Sequence, residues 1–299
     1  MKQTIGIIGQ GFVGSAIREG LKSFYDIKAY DIDKSKCWNV TDKSSVDEVV
    51  WHSDIIFVCL PTPMRTDGSC DIRILEDALE NAYKSIKKQY PAYPKHSDFL
   101  NRQGQKKTFV IKSTVPPGTT ETLSLKYPRI NLCFSPEFLT EANSFNDFKN
   151  QSRILIGGDG AREVKQMFRK AFPRIPIVIT KSSTAEMVKY FINCFLALKV
   201  TFANQMYEIC QAAEIDYDKV CEYAFYDNRI GKSHLAVPGP DGDFGFGGHC
   251  FPKDLAAMIY FGESLHAETG LLKEVEAQNN HYRTDKDWKS MKGRAVSDD

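Results

Sequence analysis

The chain has 299 residues, with 39 lysines and arginines against 38 acids and a formal net charge of +1. That balance, without a basic tract, argues against nucleic acid as a partner, and no apolar run approaches the roughly 20 residues of a membrane span. The eight cysteines are scattered without paired CxxC spacing, so they read as reduced thiols of a cytoplasmic protein and imply neither a disulfide framework nor a metal site. The length allows two domains, each with its own core. The sequence opens directly on a strand pattern, which reads as leaving no room for a signal peptide.

Thr4–Ile8 is the pattern of a short buried strand, and Gly9-Gln10-Gly11-Phe12-Val13-Gly14 follows it at the start of an amphipathic run reaching Leu21. This is the dinucleotide fingerprint in its required context. Gly9 permits the tight turn, Gly11 lets backbone approach a pyrophosphate, and Gly14 lets helix pack on sheet. A helix N-terminus there meets the phosphate charge. About twenty residues on, Ala29-Tyr30-Asp31 closes a second predicted strand with an acid. Asp31 can bind both ribose hydroxyls and would repel a 2′-phosphate, so the expected cofactor is NAD. Lys36, which could meet such a phosphate, is the one nearby feature leaning towards NADP.

Further strands are predicted at Ile27–Tyr30, Asp54–Cys59, Thr108–Lys112, Asn131–Phe134, Arg153–Ile156 and Ile177–Ile179, alternating with helical segments. That alternation predicts an α/β fold, a Rossmann doubly wound parallel sheet over residues 1–180. The polar stretch between Tyr90 and Lys107 reads as an exposed loop. Ligands of such sheets bind beyond the carboxyl ends of the strands, and three segments end there with unusual residues. Pro61-Thr62-Pro63 and Ser113-Thr114-Val115-Pro116-Pro117 stop strands with prolines. Ser135-Pro136-Glu137-Phe138-Leu139-Thr140-Glu141 puts two carboxylates one helical turn apart. Singly each is ordinary loop punctuation; their recurrence at one edge marks a site.

From Ser183 the texture turns helical, and residues 181–299 are expected to form an all-helical second domain. Ser183-Thr184-Ala185-Glu186 has capping-box spacing, and helical character runs to about Glu214, a length of ~45 Å. Met187, Phe191, Phe195, Leu196, Val200, Phe202 and Met206 make it apolar around much of its circumference, so it should be buried on most sides, bridging domains or pairing with a second subunit in a homodimer. Lys189 and Asn193, four apart, share a face and could present a cation and an amide to a developing oxyanion. Arg229 lies on a later loop. Then comes Gly245-Phe246-Gly247-Gly248-His249-Cys250-Phe251-Pro252-Lys253-Asp254, where Cys250 sits between a glycine loop and a proline suited to a helix start. A helix N-terminus and Lys253 both favour thiolate there. Helices are expected over Leu255–Leu265 and about Leu271–His281, before a frayed, charged tail.

In order along residues 1 to about 280, the glycine turn, the PTP loop, STVPPGT, SPEFL, the AExxKxxxN helix, NRIG and the GFGGxCFPKD loop resemble the UDP-glucose/GDP-mannose dehydrogenase family. The resemblance implies two successive NAD-dependent oxidations of a nucleotide-sugar alcohol to the acid, with UDP-glucose as the first candidate. It implies Cys250 as the nucleophile of a thiohemiacetal and then a thioester, with Lys189 and Asn193 stabilising oxyanions. Asp254 would orient a water or the lysine, and Glu137 would be acid and base in thioester hydrolysis. It implies Thr114 and Glu141 near the nicotinamide ribose and catalytic water, with Pro61, Thr62 and Ser113 beside the cofactor. Phe138 and Leu139 would line the substrate, Phe244, Gly245, Phe246, Gly247 and Gly248 would wrap the sugar phosphate, and Arg229 would reach it from the partner subunit. Family members carry a third, Rossmann-like domain whose first strand is expected just after Lys292, and the sequence stops at Asp299. The rivals are a β-hydroxyacid dehydrogenase, which makes one oxidation and needs no thiol, and a non-catalytic NAD-binding dimer.

Overall fold

A computed structural model describes residues 3–89 and 106–298; nearly all of the polar stretch read as an exposed loop lies outside the described residues. Met1–Thr62 with Ile72–Lys189 form one compact unit, and Pro63–Asp71 with Tyr190–Asp299 form another.

The first unit is a seven-stranded sheet in the order β2-β1-β3-β4-β5-β6-β7. Its strands are β1 (Thr4–Ile8), β2 (Asp26–Tyr30), β3 (Ile55–Val58), β4 (Thr108–Ile111), β5 (Asn131–Phe134), β6 (Ile154–Gly158) and β7 (Ile177–Thr180). β3 is apolar at every position because both faces of the sheet are covered there, and alternate side chains serve different cores. Ile55 and Phe57 of β3 join Ile5, Ile17 and Phe168 on one side. Ile56 and Val58 join Leu75, Leu79 and Phe109 on the other. These side chains are almost wholly buried, each contributing about 1.5–3 kcal/mol in apolar burial. The helices are α1 (Phe12–Leu21), α2 (Asp47–His52), α3 (Arg73–Gln89), α4 (Thr119–Lys126), α5 (Ser144–Lys149) and α6 (Ala161–Ala171). The fold is the expected Rossmann type with one departure: β6 runs antiparallel to β5, and β7 then runs parallel to β6. β1 pairs with β2 on one side and β3 on the other, so the chain reverses its direction of winding at β1, where such sheets bind ligands.

The long helix α7 spans Ser182–Ala212, 31 residues. Glu186 does not cap it. The carboxylate accepts instead from Gly118 N (2.7 Å), Thr120 N (2.9 Å) and Thr120 Oγ1, the donors at the start of α4. The capping-box spacing is therefore coincidental, and the acid serves another helix. Within the second unit α8 (Tyr217–Ala224), α9 (Phe251–Ser264) and α10 (Gly270–Tyr282) accompany α7 around a core of Cys194, Ala197, Phe246, Leu255, Ile259 and Val275. Within a single chain α7 keeps one side uncovered, the side for which burial against a second subunit was one of the two expectations. Phe191 is 70% exposed, Phe195 52%, Phe202 56% and Ile209 53%. The tail is not frayed. Trp288 is buried, Met64 N donates to Ala295 O (2.8 Å), Ser297 N donates to Met64 O (2.7 Å), and Ser297 Oγ donates to Asp71 (2.8 Å). A strand-like pairing satisfies the backbone that a charged sequence suggested was loose.

Candidate active site

The glycine turn is built by close packing. Gly9 has φ +91, and a Cβ there would strike the carbonyl of Cys59; one on Gly14 would strike the carbonyl of Gly9. Both positions therefore demand glycine. At Gly11 a Cβ would meet nothing within 4 Å, leaving open backbone at the N-terminus of α1 where a pyrophosphate can approach. Asp31 turns back to this loop, accepting from Gln10 N (2.6 Å) and from Asp33 N (2.8 Å). Lys36 is drawn to Asp33 at 3.5 Å. The residues present thus fit a dinucleotide with free ribose hydroxyls.

The two proline-bearing loops of this unit are tied to each other. Leu60 N donates to Ser113 Oγ (3.0 Å), and Thr62 Oγ1 donates to Thr114 O (2.6 Å). Next along the sheet edge, Ser135–Glu137 follows β5. Glu137 is buried, and Lys189 Nζ donates to its carboxylate and to its carbonyl, each at 2.9 Å. Leu139 N donates to the other carboxylate oxygen at 2.7 Å. Burial alone would raise the carboxyl's pKa. The charge of Lys189, these hydrogen bonds and the nearby Lys112 outweigh it and hold Glu137 below the usual glutamate value. A cavity of about 420 Å³ opens beside it, bordered by Val13 and Ile17 of α1, by Lys112 and by Glu137–Leu139, a volume suited to part of a small organic ligand. Glu137 and Glu141 were expected one helical turn apart. The backbone is irregular through residues 135–140 and α5 starts only at Ser144, so Glu141 lies exposed on a turn.

In the second unit Cys250 is the residue that caps the N-terminus of α9, with Pro252 in the first turn and Asp254 N donating to Cys250 O (3.0 Å). The sulfur thus stands at the positive end of a 14-residue helix. Burial would lower the pKa of Lys253, but Asp254 and then the thiols of Cys70 and Cys250 raise it, so its charge is secure. A helix N-terminus and a fixed cation are the surroundings in which a thiolate is stabilised. Asp254 is buried and bridges two groups: Lys253 Nζ donates to one oxygen at 2.5 Å and Asn193 Nδ2 to the other at 2.6 Å.

Two family descriptions match consecutive stretches. Residues 33–175 match the NAD binding domain of the UDP-glucose/GDP-mannose dehydrogenase family, and residues 183–281 match its central domain. The chain belongs to that family. It is 29% identical over 309 residues to a putative UDP-glucose 6-dehydrogenase of Bacillus subtilis, covering 92% of this chain and 67% of the relative. It is 32% identical over 311 residues to a UDP-glucose 6-dehydrogenase of Rickettsia prowazekii, covering 92% and 66%. The chain therefore spans about two thirds of the length of these relatives. Among solved structures, a UDP-glucose dehydrogenase from Pyrobaculum islandicum superposes with a TM-score of 0.79 at 28% identity, covering 94% of this chain and 68% of that one. A 3-hydroxyisobutyrate dehydrogenase from Mycobacterium tuberculosis shares the fold at TM-score 0.67 and 14% identity, covering 96% and 95%. The first unit of this dehydrogenase-family chain carries an NAD-binding domain, and among the described residues no helix is long and apolar enough to cross a membrane.

Within each unit of this family member the predicted residues gather unevenly. Lys189 meets Glu137, and Asn193 meets Asp254. Arg229 is highly exposed and bonded to Asp227, two positions before it. The glycine loop before the cysteine rests on residues the sequence reading passed over. Asn204 Oδ1 accepts from Gly245 N (3.1 Å), and Asn279 both accepts from Phe246 N (2.7 Å) and donates to Phe246 O (2.9 Å). Asp287 accepts from Gly248 N at 3.0 Å, and a Cβ on Gly247 would strike the Arg283 guanidinium. Arg283 itself is buried among the carboxylates of Asp241, Asp243 and Asp287. The available signal was a pair of asparagines at apolar-face positions of helices, where such residues need a partner.

Proposed function

We propose that the chain oxidises the primary alcohol of a nucleotide sugar to the carboxylic acid in two steps, with UDP-glucose as substrate, and that it works as a homodimer. The observation that carries the reading is Cys250 at the start of α9 with Lys253 beside it. A single oxidation of a hydroxyacid has no use for a thiol so placed, and two oxidations do.

NAD, when bound, would accept one hydride in each oxidation; Gly11, Asp31 and the Pro61–Thr62 and Ser113–Thr114 loops would hold it. The residues of the chain divide the remaining work. As the alcohol loses its hydride, its hydroxyl proton passes to water, and Lys189 and Asn193 offer a cation and an amide to the oxygen on which charge develops. The aldehyde carbon has no second hydride to give until a nucleophile adds. The Cys250 thiolate adds to it, forming a C–S bond and a thiohemiacetal oxyanion. Loss of the second hydride leaves a thioester. Glu137, held ionised, takes a proton from water as the water attacks that carbonyl. The C–S bond breaks, and the acid leaves with the thiolate restored.

The dimer reading is supported by Phe191, Phe195, Phe202 and Ile209. Spaced by four, seven and seven residues, they form one exposed stripe along α7. An apolar stripe of this kind is covered twice over by pairing with its own copy about a two-fold axis. The functional reading is tested by following NADH with UDP-sugars, GDP-sugars and simple hydroxyacids. Two NADH per UDP-sugar consumed, and none with hydroxyacids, is the expected result; turnover confined to hydroxyacids at one NADH each would replace it with the single-oxidation class.

A further inference from the structure

The turn Ser135–Glu137 is gripped by two lysines, and only Lys189 was singled out by motif. Lys112, at the carboxyl end of β4, is 7% exposed. Its Nζ donates to Pro136 O at 2.9 Å and lies 3.5 Å from Ser135 Oγ. Lys189 Nζ donates to the next carbonyl, Glu137 O, and to the carboxylate. Successive carbonyls of one turn are thus each held by a different ammonium group. Lys112 also borders the same cavity as Glu137.

We propose that Lys112 is a positioning residue for Glu137, fixing the Ser135–Glu137 turn and the charge of its carboxylate from β4 while Lys189 does so from α7. The inference deepens the reading of Glu137 as the base of the hydrolysis step and rests on it. A buried lysine is otherwise a liability: burial lowers Lys112 to about 8, against the opposing pull of Cys59, Glu137 and Cys133 and with further lowering from Lys189. Those four groups, from the loop after β3, the turn itself, β5 and α7, are the titratable groups that act on it most strongly. A methionine or leucine would fill the place without that cost, so the ammonium is retained for what it does to its neighbours. The carboxylate of Glu137 is one neighbour on which that charge acts.

The test compares Lys112→Met, which keeps the stem and loses the charge, with Lys112→Arg, which restores charge and donors. The carboxyl of Glu137 is titrated by carbon-13 NMR in the ligand-free chain, its signal assigned with Glu137→Gln. Lys112→Met is expected to move the midpoint upward by ~0.5 pH or more and Lys112→Arg to return it. The acid limb of the rate of sugar-acid formation should follow in the same direction. A midpoint unmoved by Lys112→Met, with only a lower melting temperature, would overturn the proposal and leave Lys112 a structural residue. Should Lys112→Met fail to fold, the reciprocal measurement decides: Glu137→Gln must shift the titration of Lys112 itself, and an unchanged Lys112 is equally fatal. The NMR readout needs no substrate. Absence of sugar oxidation by the wild type would therefore sink the functional reading while leaving this result to stand or fall separately.

Discussion

Asp31 already has both carboxylate oxygens committed to the backbone of its own loops, one to Gln10 N and one to Asp33 N. A ribose diol can join those bonds, whereas a 2′-phosphate would bring negative charge against a fixed negative charge. NAD is therefore expected to bind at least tenfold tighter than NADP, about 1.4 kcal/mol or more, by calorimetry; equal affinities would contradict this. Glu137 links the site to acid stability. Its folded pKa lies below the ordinary glutamate value, so the folded state binds fewer protons than the unfolded one in that window. Its contribution is complete above the ordinary value and is lost as pH falls through the lowered one. Melting temperature measured from neutral to acid pH should thus fall less steeply in Glu137→Gln than in the wild type. Parallel curves would show that the pair with Lys189 does not couple to folding.

Helix α4 depends on an acid that belongs to α7. Removing the side chain in Glu186→Ala leaves Gly118 N and Thr120 N without their acceptor in a buried setting, an expected loss of roughly 1–3 kcal/mol. Glu186→Gln keeps one acceptor oxygen and should lose less, and equal urea midpoints for all three proteins would refute the cap. This element also shows what a sequence can and cannot reveal. The strands β1, β3 and β4 were legible because burial on both faces leaves a nearly continuous apolar signal, and the glycine turn because sterics leave no alternative to glycine at Gly9 and Gly14. Glu186 was misassigned because a local spacing rule cannot see a donor 66 positions away. The reversal of β6 against β5 leaves no local trace either, since the apolar pattern of a strand is the same in both directions. The docking of Ser297 on Asp71 spans 226 positions, and only the folded chain brings the two together. Cys250, Lys189 and Asn193 were legible through motif and helical spacing. Lys112, Asn279 and Asp287 were not, because each acts by gripping a backbone that pattern alone does not locate.

The chain combines an NAD-binding unit with a helical unit that carries the thiol, and the proposed chemistry calls on residues of both. Phe191→Lys with Phe195→Lys is expected to convert a dimer into a monomer at micromolar concentration by light scattering, since four ammonium groups, two from each subunit, would be buried against one another. A wild-type monomer under those conditions would remove the dimer from the account. The central claim is that Cys250 carries the second oxidation and is not needed for the first. It is tested most directly by counting NADH formed per UDP-sugar consumed, with the product identified by mass spectrometry, in the wild type and in Cys250→Ser. Serine keeps the shape but its hydroxyl is a far weaker acid than a thiol, so at neutral pH it supplies almost no nucleophile. The account predicts two NADH and the sugar acid for the wild type. For Cys250→Ser it predicts undiminished NAD binding, at most one slow NADH per sugar, and no sustained acid. Acid formed by the serine variant at near wild-type rate, with two NADH per sugar, would contradict it.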